Sequence, residues 1–194
     1  MLKKLVLKNR SYRRFDASHA LSGKILTHLI ELARLAPTAA NIQPLKYFIS
    51  YKPKTNDLIF PHLFWAGYLS DWEGPAPKER PTGYIIILQD KNIAPSIMGA
   101  DQGIAAQTIL LGAVEKGLGG CIIGSINKES LQEQLHLALH YEILLVIALG
   151  KPAEKVEICD LPEPENIRYW RDGKGVHRVP KRKLEDLILN LDKE

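Results

Sequence analysis

Cysteine is scarce in this chain and follows no pattern: among 194 residues only Cys121 and Cys159 carry thiols. They are far apart and form no CxxC, so a zinc ribbon or a thioredoxin-type dithiol is unsupported, and reduced thiols in a cytoplasmic protein are expected. Long apolar runs are missing too. The stretch Met1–Leu7 meets Lys8, Asn9 and Arg10 at once, which leaves too short a core for a signal peptide. The longest nearly uncharged run, 92–114, contains Asp101, Gln102, Gln107 and several glycines, too polar for a bilayer span. Charge of one sign does not dominate: 26 Lys and Arg against 22 Asp and Glu leave a formal +4 and a pI near 9.0. No basic run is flanked by stacking aromatics, so neither nucleic acid nor a membrane is an expected partner. The chain also lacks G-x-S-x-G, H-E-x-x-H and G-x-x-x-x-G-K-[ST], and Gly117-Leu118-Gly119-Gly120 is not a dinucleotide fingerprint. His136 and His140, four apart on an expected helix, have no third ligand in view and read as charge near a helix C-terminus, so no metal is expected. Glu163 and Glu165 fall in a loop without general-acid context, and no residue stands out as acid, base or nucleophile.

What is present suits one globular domain over residues 1–194, with 45% hydrophobic and 25% charged residues. Ser22 is placed to cap a helix running to about Leu35, with Ile25, Leu29, Leu32, Ala33 and Ala36 on one face. Tyr47–Tyr51 reads as a strand, and Tyr84–Leu88 as a strand covered on both faces. The segment Pro61–Pro81 is rich in proline, glycine and aromatics, an ordered loop or short helix serving as a candidate lid on the substrate side. Gly99 to about Lys116 predicts a helix apolar nearly all round, whose second face needs another subunit. A short strand over 119–124 follows. Asn127 then caps a helix with Leu131, Leu135 and Leu139 in line, and Ile143–Leu149 is another buried strand. Residues 152–194 read as a C-terminal arm, without strong periodicity to Lys174 and with a short helix over Leu184–Leu191. By pattern alone the fold is α/β or α+β.

Two stretches near the N-terminus carry the chemistry. In Asn9-Arg10-Ser11-Tyr12-Arg13-Arg14-Phe15, arginine forks surround a hydroxyl beside an apolar anchor. Such forks fit phosphate oxygens two at a time, so Arg10, Ser11 and Arg13 read as a phosphate clamp, with Tyr12 contributing backbone; a solvated surface turn is the alternative. In Leu35-Ala36-Pro37-Thr38-Ala39-Ala40-Asn41-Ile42-Gln43-Pro44, a proline ends a helix and opens a small polar loop. Its amides both donate and accept, which suits the edge of a flat heterocycle as well as a plain turn.

These motifs, at this spacing, resemble the FMN-dependent nitroreductase family. The likeness continues through Ala100–Gln107, Gly117–Gly124 and Val179–Glu185 in the family's order; Asn9 stands where the family commonly has the first of two arginines. The resemblance implies an α+β nitroreductase-like fold, a mixed central β-sheet flanked by helices, in an intertwined homodimer with FMN at the interface. It implies cofactor contacts from Arg10, Ser11, Tyr12 and Arg13, from Pro37, Thr38, Ala39, Asn41 and Gln43, and from Lys181 and Arg182 on the same phosphate. It also places Ile123, Gly124 and Ser125 at the flavin, Gly124 at the position whose N–H faces the reactive nitrogen; a glycine ending a strand is the local alternative. Trp65, Tyr68 and Trp72 are candidates for a wall against flat aromatic acceptors, core packing being the commoner use of such residues. The expected activity is FMN-dependent NAD(P)H oxidation with reduction of nitroaromatic or quinone-like acceptors, by ping-pong hydride transfer. Alternatives are a flavin-modifying or dehalogenating enzyme on the same scaffold, or a non-catalytic FMN-binding protein.

Overall fold

A computed structural model describes residues 1–96, 100–161 and 166–189. In chain order the helices are α1 (Leu2–Lys8), α2 (Gly23–Arg34), α3 (Pro53–Ile59), α4 (Asp101–Glu115) and α5 (Lys128–Gln134). The strands are β1 (Leu45–Ser50), β2 (Gly83–Asp90), β3 (Gly119–Ile123), β4 (Tyr141–Gly150), β5 (Val156–Asp160), β6 (Trp170–Arg171) and β7 (His177–Lys181).

Strand β2 shows why the sheet forms where it does. Every one of its residues is buried, so its apolar run serves both faces. Ile85 and Ile87 join Leu26, Leu29, Ala33, Ile109, Ala113 and Ile147 beneath α2 and α4. Tyr84, Ile86 and Leu88 join Ile59, Leu63, Trp65, Leu131 and Val146 on the opposite face, toward α3 and α5. At roughly 1.5–3 kcal/mol per fully buried large aliphatic side chain, these two layers dominate the fold's stability. Ser22 Oγ accepts from Ile25 N at 3.3 Å and starts α2. That helix buries Leu26, Leu29 and Ala33, a stripe turned toward Leu26 from the expected one.

The large sheet runs β1-β2-β4-β3, and all three of its ladders are antiparallel. The parallel pairing lies elsewhere. A second sheet, β5-β7-β6, contains the parallel ladder β5–β7, and a single parallel bridge joins Ser11 to Gly120 at the β3 edge. This second sheet occupies the segment where no period was visible, because its strands are short and half exposed.

Three element boundaries differ from expectation. Helix α5 stops at Gln134, so Leu139 is 90% exposed and His136, at φ 51°, is left in a turn together with His140. Helix α4 begins at Asp101; the expected start at Gly99 lies outside the described residues. At the C-terminus a single 3₁₀ turn over Glu185–Leu187 replaces the expected helix, whose last residues, 190 and 191, lie outside the described set, as do Glu163 and Glu165. Within the chain α4 buries Ala105, Ala106, Ile109, Leu110 and Ala113 and leaves Gly103, Ile104 and Gln107 in the open. Among the described residues no helix is long and apolar enough to cross a membrane.

The Arg10–Phe15 segment reaches the sheet only because glycine lines its bed. A Cβ on Gly119 would stand 2.5 Å from Tyr12 Cδ2 and 2.8 Å from Pro152 Cγ, and one on Gly150 would stand 2.9 Å from Phe15 Cδ1. Replacing Gly119 with alanine should therefore cost about 1–3 kcal/mol, the scale of overpacking. Thermal unfolding of Gly119→Ala measures it; an unchanged melting temperature would mean that Tyr12 yields freely.

Candidate functional site

The segment that begins the site has no regular structure of its own, and its backbone bonds come from distant parts of the chain. Tyr12 N donates to Gly120 O at 3.0 Å, and Ala153 N to Arg14 O at 2.9 Å. Arg13 N and Arg14 N both donate to Glu154 Oε1, at 2.5 and 3.0 Å. Arg13 then turns its guanidinium over the Tyr169 ring, 4.8 Å from the centroid, with Nη1 3.3 Å from His177 Nε2. A guanidinium can only donate, so the imidazole accepts there and its ring proton sits on Nδ1, which is buried without a protein partner. Burial, then Arg13, Arg171 and Arg14, push the His177 pKa down to about 4. Arg10 donates from Nη2 to Val6 O at the end of α1, while its Nε is buried without a protein partner. Ser11 is exposed, and Arg13 Nη1 also reaches Ser11 O.

Arg13 lines a cavity of about 150 Å³ with Phe64, Trp65, Cys121, Ile123, Gly124 and Ser125. The expected clamp residue and the expected turn Ile123–Ser125 thus meet at one site. Gly124 is exposed, and a Cβ there would touch only Leu145 Cδ2 at 3.8 Å, so the fold itself does not require glycine. Cys121 is pushed up by burial, partly offset by Arg13, and stays a neutral thiol at neutral pH.

The three aromatic candidates part company. Trp65 is buried and lines the cavity, with Nε1 lacking a protein partner. Tyr68 is 47% exposed and stacks on Tyr169 at 5.0 Å. Trp72 lies between Arg171 and Arg14, 4.3 and 5.8 Å from its ring. Phe64, 61% exposed at the cavity, has the exposure that a wall residue needs, although no sequence pattern separates it from its aromatic neighbours.

The second motif forms a different site. After Pro37, the residues Ala40, Asn41 and Gln43 take φ of 48°, 55° and 56°. Left-handed backbone at a non-glycine residue costs roughly 1 kcal/mol or more, and three in four residues mark a loop shaped for something other than its own stability. Ala39 N donates to Asp101 Oδ1 at 2.9 Å, which ties the loop to the start of α4; Thr38 Oγ1 and Asp101 Oδ2 are buried without protein partners. Pro37, Thr38 and Gln43 line a cavity of about 250 Å³ with Tyr47 and Ile104. This loop leads into edge strand β1, whereas Arg13 and Gly124 sit by the opposite edge strand β3, three strand spacings or about 14 Å away. Lys181 ends β7 and Arg182 follows, about 13 Å along the strand from the His177–Arg13 contact. Among the described residues no group of three or more His, Cys, Asp or Glu is arranged to hold a metal.

Glu154, Tyr169, Arg171 and His177 were not among the expected site residues. Each belongs to the aperiodic C-terminal segment, and only the long-range contacts reveal them.

This geometry accompanies a clear kinship: residues 6–151 match the model of the Nitroreductase family, and the chain belongs to that family of oxidoreductases. YodC of Bacillus subtilis (strain 168), which carries the name NAD(P)H nitroreductase, is 26% identical over 195 residues, spanning 85% of this chain and 96% of YodC. A nitroreductase family protein from Streptococcus pneumoniae TIGR4 superposes with a TM-score of 0.66 at 19% identity, over 81% of this chain and 93% of that one. An FMN-dependent nitroreductase from Clostridium difficile R20291 gives 0.62 at 20% identity, over 79% and 88%. At such identities the two structures establish the fold.

His177 gives the site a pH signature. Its folded pKa of about 4 lies below the ordinary value of 6.5, so between these limits the unfolded chain binds a proton that the folded one does not. Stability should fall as pH drops from about 6.5 to about 4. Melting temperatures of wild type and His177→Gln across this range should show the flatter profile in the variant; parallel profiles would refute the assignment.

Proposed function

We propose that the protein is an FMN-dependent NAD(P)H oxidoreductase that reduces flat nitroaromatic or quinone-like acceptors. The observation that carries this reading is the meeting, at one cavity, of Arg13 and the Ile123–Ser125 turn. The first group suits a phosphate, and the second offers a backbone N–H to a developing charge without a titrating group.

The residues present fit a flavin mononucleotide. Arg10 Nε and Thr38 Oγ1 are buried polar atoms that lack protein partners. The space above Gly124 is open, and nothing among the described residues accounts for glycine at that position. Cavities of about 150 Å³, lined by Arg13 and the Ile123–Ser125 turn, and about 250 Å³, lined by the loop after Pro37, each fall short of the roughly 300–1,000 Å³ that drug-sized ligands occupy. A homodimer that sets the Thr38–Gln43 loop of one protomer against the Arg10–Arg13 segment of the other would assemble a sufficient volume. The open face of α4, with Ile104 37% exposed, supports such a partner.

When bound, FMN supplies the electron chemistry, accepting hydride from NAD(P)H and passing it to a second substrate in ping-pong order. The chain's own part is to bind and orient. Arg10, Ser11, Tyr12 and Arg13 would hold the phosphate, with Lys181 and Arg182 as further cationic groups for it. Pro37, Thr38, Ala39, Asn41 and Gln43 would bind the ring, and the backbone N–H of Gly124, between Ile123 and Ser125, would supply a hydrogen-bond donor to it. Trp65, with Phe64 and Tyr68, forms the wall for a flat acceptor, while Trp72 supports it from between two arginines. No side chain serves as acid, base or nucleophile. Two free cysteines and the lack of a crossing helix among the described residues support a cytoplasmic location.

The purified protein should be yellow, bleach when NADPH or NADH is added anaerobically, and recover colour with a quinone or nitroaromatic. A yellow protein that stays oxidised would favour a flavin carrier, and a colourless one that FMN cannot reconstitute would overturn the reading. Gly124→Ala separates function from folding: stability should hold or rise by up to about 1 kcal/mol, while reduction by NAD(P)H slows. Unaltered reduction would remove Gly124 from the site.

A further inference from the structure

Glu154 lies beyond residue 151, where the family match ends, and none of the motifs includes it. Its side chain is only 3% exposed, which is unusual for a carboxylate without a strong reason. Its partners are the backbone of the clamp residue Arg13 and of its neighbour Arg14, and the side chain of Arg171. Oε1 takes the backbone N–H groups of Arg13 and Arg14. Oε2 lies 3.4 Å from Arg171 Nη2, and Arg171 covers Trp72 in the candidate lid.

Three guanidinium groups gather here, and they crowd one another: burial, then Arg14, bring Arg171 below its ordinary range, with Glu154 opposing. Arg14 has a second carboxylate in reach, Glu79 at 3.5 Å, whereas Arg13 rests its guanidinium on Tyr169 and neutral His177. Glu154 therefore does two things at once. It fixes the backbone from which Arg13 projects toward the cavity, and it offsets the charge that would drive Arg13 and Arg171 apart.

We infer that Glu154 is a positioning residue for the phosphate end of a bound flavin, acting through the backbone of Arg13 and Arg14 and anchored by Arg171. The inference rests on the flavin-phosphate reading above. It implies that Glu154 affects ligands that carry the phosphate and spares those that lack it, because its contacts reach Arg13 and not the turn at Gly124.

Flavin fluorescence titrations of the deflavinated full chain with FMN and with riboflavin, which lacks the phosphate, test this directly. Wild type should prefer FMN. Glu154→Gln should raise the Kd for FMN by about tenfold, the scale of one lost charge-assisted contact, and leave riboflavin within about twofold. An equal loss for both flavins would reduce Glu154 to a general structural role, and unchanged or tighter FMN binding would overturn the proposal. If Glu154→Gln does not fold, Arg171→Gln carries the test: a loss confined to FMN supports the proposal, and an equal loss or none overturns it. A wild type that binds riboflavin as well as FMN removes the phosphate clamp itself, and the proposal with it.

Discussion

The site depends on how closely the Arg10–Phe15 segment lies against one edge of the sheet. Gly119 and Gly150 leave no side chain between that edge and the rings of Tyr12 and Phe15, and a single bridge from Ser11 to Gly120 sets the register. Because the segment forms no ladder of its own, its remaining N–H groups must find partners elsewhere. The buried carboxylate of Glu154 takes two of them. The position of Arg13 thus follows from small residues in β3 and β4 and from an acid in the connection between β4 and β5.

Electrostatics and packing reinforce each other at this edge. Arg13, Arg14 and Arg171 are spread over Tyr169 and Trp72, so each cation has an aromatic face as well as any carboxylate it meets. His177 is held toward its neutral form among them first by burial and then by the positive charges of Arg13, Arg171 and Arg14. The result is a cluster of three guanidinium groups, each held by contacts within the chain, with Arg13 at the cavity beside Gly124.

What was legible in the sequence depended on how local the cause was. The middle of β2 stood out because burial on both faces leaves an unbroken apolar run, and α2 because Ser22 and a 3.6-residue stripe mark it. The arginine-rich segment and the polar loop stood out as residue types at a spacing that matches the family. The second sheet was not, since a two-residue strand such as β6 has no period to read. The end of α5 was hidden as well: His136 adopts left-handed backbone with neither glycine nor proline to announce it. Glu154 and His177 escaped for a different reason, being about 140 and 164 residues from the arginine they serve. Nothing in their own neighbourhood encodes that contact.

The same long-range closure has a consequence for biosynthesis. The arginines leave the ribosome within the first fifteen residues, yet the acid that seats them is residue 154 and the imidazole that accepts from Arg13 is residue 177. A nascent chain therefore carries its most recognisable motif for nearly the whole of translation without being able to use it. The folded position of Arg13 belongs to the finished polypeptide, and a chain broken off before the last strand would keep the segment and lose the contacts that seat it.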